Sequence, residues 1–150
     1  LGHKFNFHEL KDGVIFENDD LKVESFRVDH GGLEESYGFK FTSADKVIVF
    51  SGDTGVSETL EKYAQNADIL VHEVYSYAGF LNKTPDWQKY HKGHHTSTLE
   101  LGEIAKRVKP KKLVLSHILF WGSSPDDIYK EISSVYDGET IIAKDLMVIE

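Results

Sequence analysis

The sequence predicts a single α/β domain built on a mixed sheet, and three observations carry that prediction. The runs VIVF at 47–50, ILV at 69–71 and LVL at 113–115 are uninterrupted short apolar stretches, as in strands buried on both faces. Segments with helical spacing separate them, so strand and helix alternate. Upstream, residues 4–41 switch between apolar and polar at period two, which reads as an antiparallel meander. A chain of 150 residues, 40% hydrophobic and 12% aromatic, suffices for one compact core.

The elements follow in order. The meander consists of Phe5/Phe7, Val14/Phe16, Leu21/Val23/Phe26/Val28 and Tyr37/Phe39/Phe41, punctuated by turn residues at Asp12-Gly13, Asn18-Asp19-Asp20 and Gly31-Gly32. The run VIVFSGDTG at 47–55 then stops abruptly at a glycine turn. VSETLEKYA at 56–64 has helical spacing, and Asn66 closes it. ILV delivers His72 and Glu73. Residues 74–93, with Tyr75, Tyr77, Phe80, Trp87 and Tyr90, have little period and read as an aromatic loop or short helix. Such a segment either packs on the core or walls a substrate pocket together with Trp121. His94-His95-Thr96-Ser97-Thr98 opens a helix at 99–108, which Pro110 ends. LVL ends in Ser116-His117. Ser124-Pro125 opens a helix at 126–136, and strands are expected at 140–143 and 146–149.

Bulk properties narrow the function. A formal charge of −8 and a pI near 5.4 argue against a surface that holds nucleic acid by neutralising phosphates. With no Cys, thiolate metal sites are excluded, and any metal must be held by His and carboxylates. No apolar run approaches the roughly 20 residues of a membrane span, so no membrane partner is expected. The chain opens at Leu1, which carries the expectation that residues and any targeting signal precede it. The cytoplasm is the default expectation for its location.

Ionisable groups recur at the ends of the apolar runs: Asp53 after VIVFSG, His72 and Glu73 after ILV, His117 after LVLS. Parallel neighbours would place these ends on one edge of the sheet, where open α/β sheets bind ligands. Asp53 is either a carboxylate that binds a cation or the cap of the helix beginning near Val56. His30, in VDHGG, is either polar loop or a ligand at a strand end. Alternation lets either His72 or Glu73 reach the site, seldom both. With His95 at a helix start, the edge gathers imidazoles and carboxylates, a donor set that suits zinc, with manganese or iron next. His3, His8, His91 and His94 lack this context and are expected to be solvated or packed.

Taken together, VDHGGLEESYGFKF, VIVFSGDTG, ADILVHEVY, HTSTLELGEIA, KKLVLSHI and KDLMVIE resemble the carboxyl-terminal half of a metallo-β-lactamase-fold hydrolase. The similar branch is that of ribonuclease Z and the arylsulfatase-like proteins, and His95 and His117 stand 22 positions apart, as in that family. The resemblance implies an αββα fold with a mixed sheet and helices on one face. It implies that His30 and His117 are ligands of different zinc ions, that Asp53 bridges both, and that Glu73 and His95 handle the leaving-group proton. Two such cations need a shared anion and supply hydroxide near neutral pH.

Two departures shape the expectation. The His-x-His-x-Asp-His signature of the amino-terminal half is absent, so residues 1–150 are expected to form an incomplete metallo-β-lactamase-like domain whose partner is that missing half. Ribonuclease Z commonly carries a tRNA-gripping arm between the counterparts of Tyr37-Gly38-Phe39 and Gly52-Asp53, where this chain has only residues 40–51. The expected activity is hydrolysis of a small phosphate or sulfate ester. Cleavage of precursor tRNA is the alternative, a degenerate binding module the second alternative, and a homodimer is compatible with any of them.

Overall fold

The computed structural model describes residues 6–150. His3 and Phe5, which the sequence reading touched, lie outside the described residues.

Seven strands form one sheet in sequence order: β1 (Gly13–Glu17), β2 (Lys22–Arg27), β3 (Tyr37–Thr42), β4 (Val47–Phe50), β5 (Ile69–Tyr75), β6 (Lys112–Leu119) and β7 (Thr140–Ile142). The strands from β1 to β4 pair antiparallel, and those from β4 to β7 pair parallel. The fold is therefore α/β with a mixed sheet, as the two kinds of apolar pattern predict. Five helices accompany it among the described residues: α1 (Glu58–Ala64), α2 (Tyr77–Leu81), α3 (Pro85–His94), α4 (Thr98–Val108) and α5 (Pro125–Ser133). None is long and apolar enough to cross a membrane.

Helices α1, α4 and α5 cover one face. Leu60 and Ala64, Leu101, Ile104 and Val108, and Ile128 and Ile132 pack on Phe26, Val49, Leu70, Val74, Leu113 and Leu115 in one buried core. The start signals in the sequence act as expected: Ser97 and Glu100, and Ser124 and Asp127, form reciprocal capping boxes that satisfy first-turn amides. On the opposite face the register aligns a second apolar surface. Phe39 sits beside Phe50, Phe50 beside Val71 and Val71 beside Val114. Phe50 is 41% exposed, so this surface is largely open.

Four expectations need correction. No strand forms around Phe7, which is exposed, because β1 is already the edge of the sheet. The aromatic segment takes the helical of its two readings, but as two helices, α2 and α3, with Ser76 capping α2 and Pro85 at the first turn of α3. Residues 146–149 make no strand; Leu146 has φ +62° and a turn bond from Met147 N–H to the Lys144 carbonyl redirects the chain. The strands β5 and β6 also run further than ILV and LVL, to Tyr75 and Leu119.

Candidate functional site

The parallel strands β4, β5 and β6 end side by side, and the loops beyond them are tied together by backbone bonds. Gly55 N–H and Thr54 Oγ1–H donate to the Asp29 carbonyl, Thr96 Oγ1–H donates to the Thr54 carbonyl, and Tyr75 N–H donates to the Thr96 carbonyl. These bonds hold the loops bearing His30, Asp53 and His95 against one edge. At Gly52 the chain turns at φ +63°, and an added Cβ would stand 2.5 Å from the Tyr37 carbonyl oxygen. Only glycine fits there, which explains the turn that presents Asp53. Gly31, at φ +60°, lies equally close under the His94 ring.

Asp53, His95 and His117 each offer a ligand atom within 4.8 Å of the others. Asp53 Oδ2 is 3.7 Å from His117 Nε2, and the His95 and His117 rings lie nearly parallel with centroids 5.7 Å apart. His117 reaches this position by a backbone irregularity. Glu73 pairs with Ser116 and Val74 with Ile118, so His117 is the extra residue of a bulge, with φ +42°. Bulges bend a strand and re-aim a side chain, and a non-glycine residue at positive φ is costly enough to mark a constrained position.

Glu73 is buried on the open-face side of β5, and His72 is fully buried on the helix side. Alternation thus sends only Glu73 to the site. Thr96 N–H donates to Glu73 Oε1 at 2.8 Å, and Glu73 Oε2 stands 3.3 Å from His95 Nδ1. Burial disfavours the His95 imidazolium, but hydrogen bonding to Glu73 and the charges of Glu73 and Asp53 outweigh it, raising its pKa above the ordinary value. Burial lowers the pKa of His72, whose Nδ1 is 2.6 Å from the Glu73 carbonyl oxygen.

His30 lies beside this cluster rather than within the 4.8 Å group. Its Nδ1 is 2.7 Å from the His94 carbonyl oxygen, and its ring meets that of His95 edge-on, 5.1 Å away. A carbonyl acceptor at Nδ1 fixes the tautomer and leaves Nε2 available, the usual support of a ligating imidazole. His94 and His91 are packed against aromatic rings, as expected of residues without a strand-end position, and His8 is exposed. A groove of about 320 Å³ on the open face runs from Phe41, Phe50 and Val71 to Asp53, Glu73 and His117.

Residues 1–118 match the family described as the Beta-lactamase superfamily domain. The chain belongs to the metallo-β-lactamase-fold hydrolase family. Ribonuclease Z of Bacillus velezensis is 25% identical, over 94% of this chain and 60% of its own length. That alignment spans 194 residues, more than this chain's 150, so the relative carries insertions that this chain lacks. Ribonuclease Z of Archaeoglobus fulgidus is 34% identical over 69% of this chain and 32% of its own length. The crystal structure of the metallo-beta-lactamase fold protein YhfI from Bacillus subtilis superposes with a TM-score of 0.75 at 23% identity, covering 96% of this chain and 54% of that one. The chain spans about a third to three fifths of the length of these family relatives.

The family implies a metal-dependent site, and the residues present fit one. Imidazole nitrogens and a carboxylate converging within 4.8 Å are a donor set for a divalent metal.

Proposed function

We propose that the protein carrying this chain is a metal-dependent hydrolase of small phosphate or sulfate esters, with Asp53, His117 and His30 as metal ligands and Glu73 and His95 as the proton-handling pair. The observation that carries this reading is the convergence of Asp53 and His117, as ligands, with His95, as the proton carrier, on the edge where β4, β5 and β6 end. Zinc is the ion the donors favour, manganese and iron the next choices; Asp53, His117 and His30 would hold the metal, with two ions the full complement. Bound there, the metal supplies Lewis acidity toward the ester oxygen and makes water a better nucleophile near neutral pH.

The chain's own residues supply the rest. Glu73 takes up His95 Nδ1, which leaves Nε2 for the substrate, and the Thr96 amide fixes the carboxylate in turn. A positioned imidazole of this kind delivers a proton to the departing oxygen, worth roughly 10²–10⁴ in rate. The groove from Phe41 and Phe50 gives the cluster an apolar wall on one side.

Precursor tRNA is the second reading, favoured by the similarity to ribonuclease Z. Two features favour the smaller ester. The formal charge is −8, and β3 passes to β4 by a tight turn closed by Ser43 N–H to the Lys46 carbonyl, where no arm intervenes. We further propose that these residues form one half of a larger two-sheet domain. The open apolar face of the sheet and the share of its relatives that the chain spans support this.

The test is a rate comparison on a chromogenic phosphodiester, an aryl sulfate and a precursor tRNA, with elemental analysis of the same preparation. Turnover of a small ester with bound metal is expected. Cleavage of RNA alone would reverse the ranking, and a preparation free of metal and without turnover would favour a binding module.

A further inference from the structure

The helix α3 carries two aromatic side chains that the chemistry above does not use. Trp87 and Tyr90 are each 55% exposed and line an open cavity of about 380 Å³ with Asp86. Half-exposed aromatic rings on a short polar helix need a reason, because burying them elsewhere would be favourable.

Each ring is backed by an imidazole one helical turn further on. Trp87 stacks on His91 with centroids 4.7 Å apart and planes within 18°, and Tyr90 stacks on His94 at 4.0 Å and 20°. Four-residue spacing places these pairs on adjoining strips of one helix surface. One strip leads to the cluster of Asp53, His95 and His117, and the other to His30 beside it. The His91 ring lies 5.7 Å from that of His95, and the His94 ring 5.3 Å from that of His30.

Behind both rings lies His91. It is only 7% exposed, flanked by Trp87 on one side and by Trp121, with centroids 4.6 Å apart, on another. Neither of its ring nitrogens has a hydrogen-bond partner among the described residues. The ring therefore serves as a fixed packing surface behind the indole and the phenol rather than as a polar contact.

We propose that Trp87 and Tyr90, with His91 behind them, form a subsite for a planar aromatic group carried by the ester whose reacting centre sits at Asp53 and His117. The inference rests on the ester-hydrolase reading and deepens it, by naming the aromatic half of the substrate. Its chemistry is shared by an aryl ring and a nucleobase. Stacking on a fixed indole or phenol orients such a ring without demanding a particular pattern of hydrogen bonds.

The experiment reads binding, so that it does not depend on turnover. Phenylphosphonate, an acyclic nucleoside phosphonate carrying adenine, and methylphosphonate all resist hydrolysis at the P–C bond. Calorimetric titration of each into the metal-loaded protein compares ring with no ring. At least about a fivefold preference for one ring-bearing ligand over methylphosphonate is expected. The better of the two distinguishes an aryl from a nucleobase source. In Trp87→Leu the ratio should fall to about one, and Tyr90→Leu should lower it independently, which keeps the test open if either variant folds poorly. Equal affinity for ring and methyl ligands in the unaltered protein, no binding of any of them, or a preference that survives both substitutions overturns the subsite. A ring preference that depends on Trp87 in a protein that hydrolyses no ester would leave the subsite standing and remove the hydrolase reading instead.

Discussion

Glu73 Oε2 faces His95 Nδ1 across 3.3 Å, although 22 residues separate the two in the chain. The carboxylate comes from inside β5 and the imidazole from the residue that ends α3, and the Thr96 amide locks the pair by donating to Glu73 Oε1. If the pair serves the leaving group, Glu73→Gln keeps the shape and loses the charge that favours the imidazolium. The expected result is a fall in kcat of about 10²-fold on esters of poor leaving groups and a much smaller fall on activated esters. A plot of log kcat against leaving-group pKa, steeper in the variant, is the check. A uniform loss at every leaving group would assign Glu73 a structural role only.

Asp53 tests the metal rather than the proton. Its carboxylate lies 3.7 Å from His117 Nε2 in a cluster 4.8 Å across, so removing it deletes the carboxylate of that cluster. Asp53→Ala should lose most of the bound metal, measured by elemental analysis after dialysis, and nearly all turnover. Full metal content with activity lost would move Asp53 from ligand to substrate contact.

The strands and capped helices were legible because each rests on local chemistry, but VIVF is covered on one face only: Val49 is buried in the core and Phe50, on the other face, is 41% exposed. VIVF, ILV and LVL have no polar residue to turn toward water, and Ser97 and Ser124 carry the oxygen that a helix start requires. Glu73 over His72 also follows, since alternation in β5 leaves only one of the two on the open side. His117 is different. Its residue type and place after LVLS were readable, but the bulge and the positive φ that turn it onto Asp53 depend on pairing with β5, which no local pattern encodes. Residues 74–93 read as either an aromatic loop or a short helix, and the place of α3 was not legible for a related reason. Its repeating strip alternates aromatic rings with imidazoles, so a search for apolar periodicity finds nothing, although Trp87, His91 and His95 recur every four residues.

Gly52 offers a test of how tightly the site loop is built. An added Cβ would meet the Tyr37 carbonyl oxygen at 2.5 Å, and a φ of +63° costs a non-glycine residue about 1–2 kcal/mol by itself. Gly52→Ala should therefore destabilise the fold by about 2 kcal/mol or more, read from the denaturant midpoint. The backbone at Asp53 must shift to relieve the contact, so metal affinity should fall with it. An alanine variant of normal stability would mean that the turn relaxes freely.

His72 sets a pH dependence that has nothing to do with catalysis. The ring is fully buried on the helix side of β5, its Nδ1 spoken for by the Glu73 carbonyl and its Nε2 without a partner, and burial lowers its pKa below the ordinary 6.5. Above that pH the imidazole is neutral whether the chain is folded or unfolded, and its stabilisation is fully present. As the pH falls below it, the unfolded chain takes up a proton that the folded protein refuses. Stability then declines by up to about 1.4 kcal/mol per pH unit until the folded pKa is reached, where the loss levels off. Denaturant unfolding of the unaltered protein and of His72→Leu at intervals from pH 8 to pH 5 isolates the contribution, because the other histidines are common to both. The difference in unfolding free energy between them should be flat above about pH 6.5 and should change in favour of the leucine variant below it. Parallel curves across that window would mean that His72 takes up its proton in the folded state as readily as in the unfolded one.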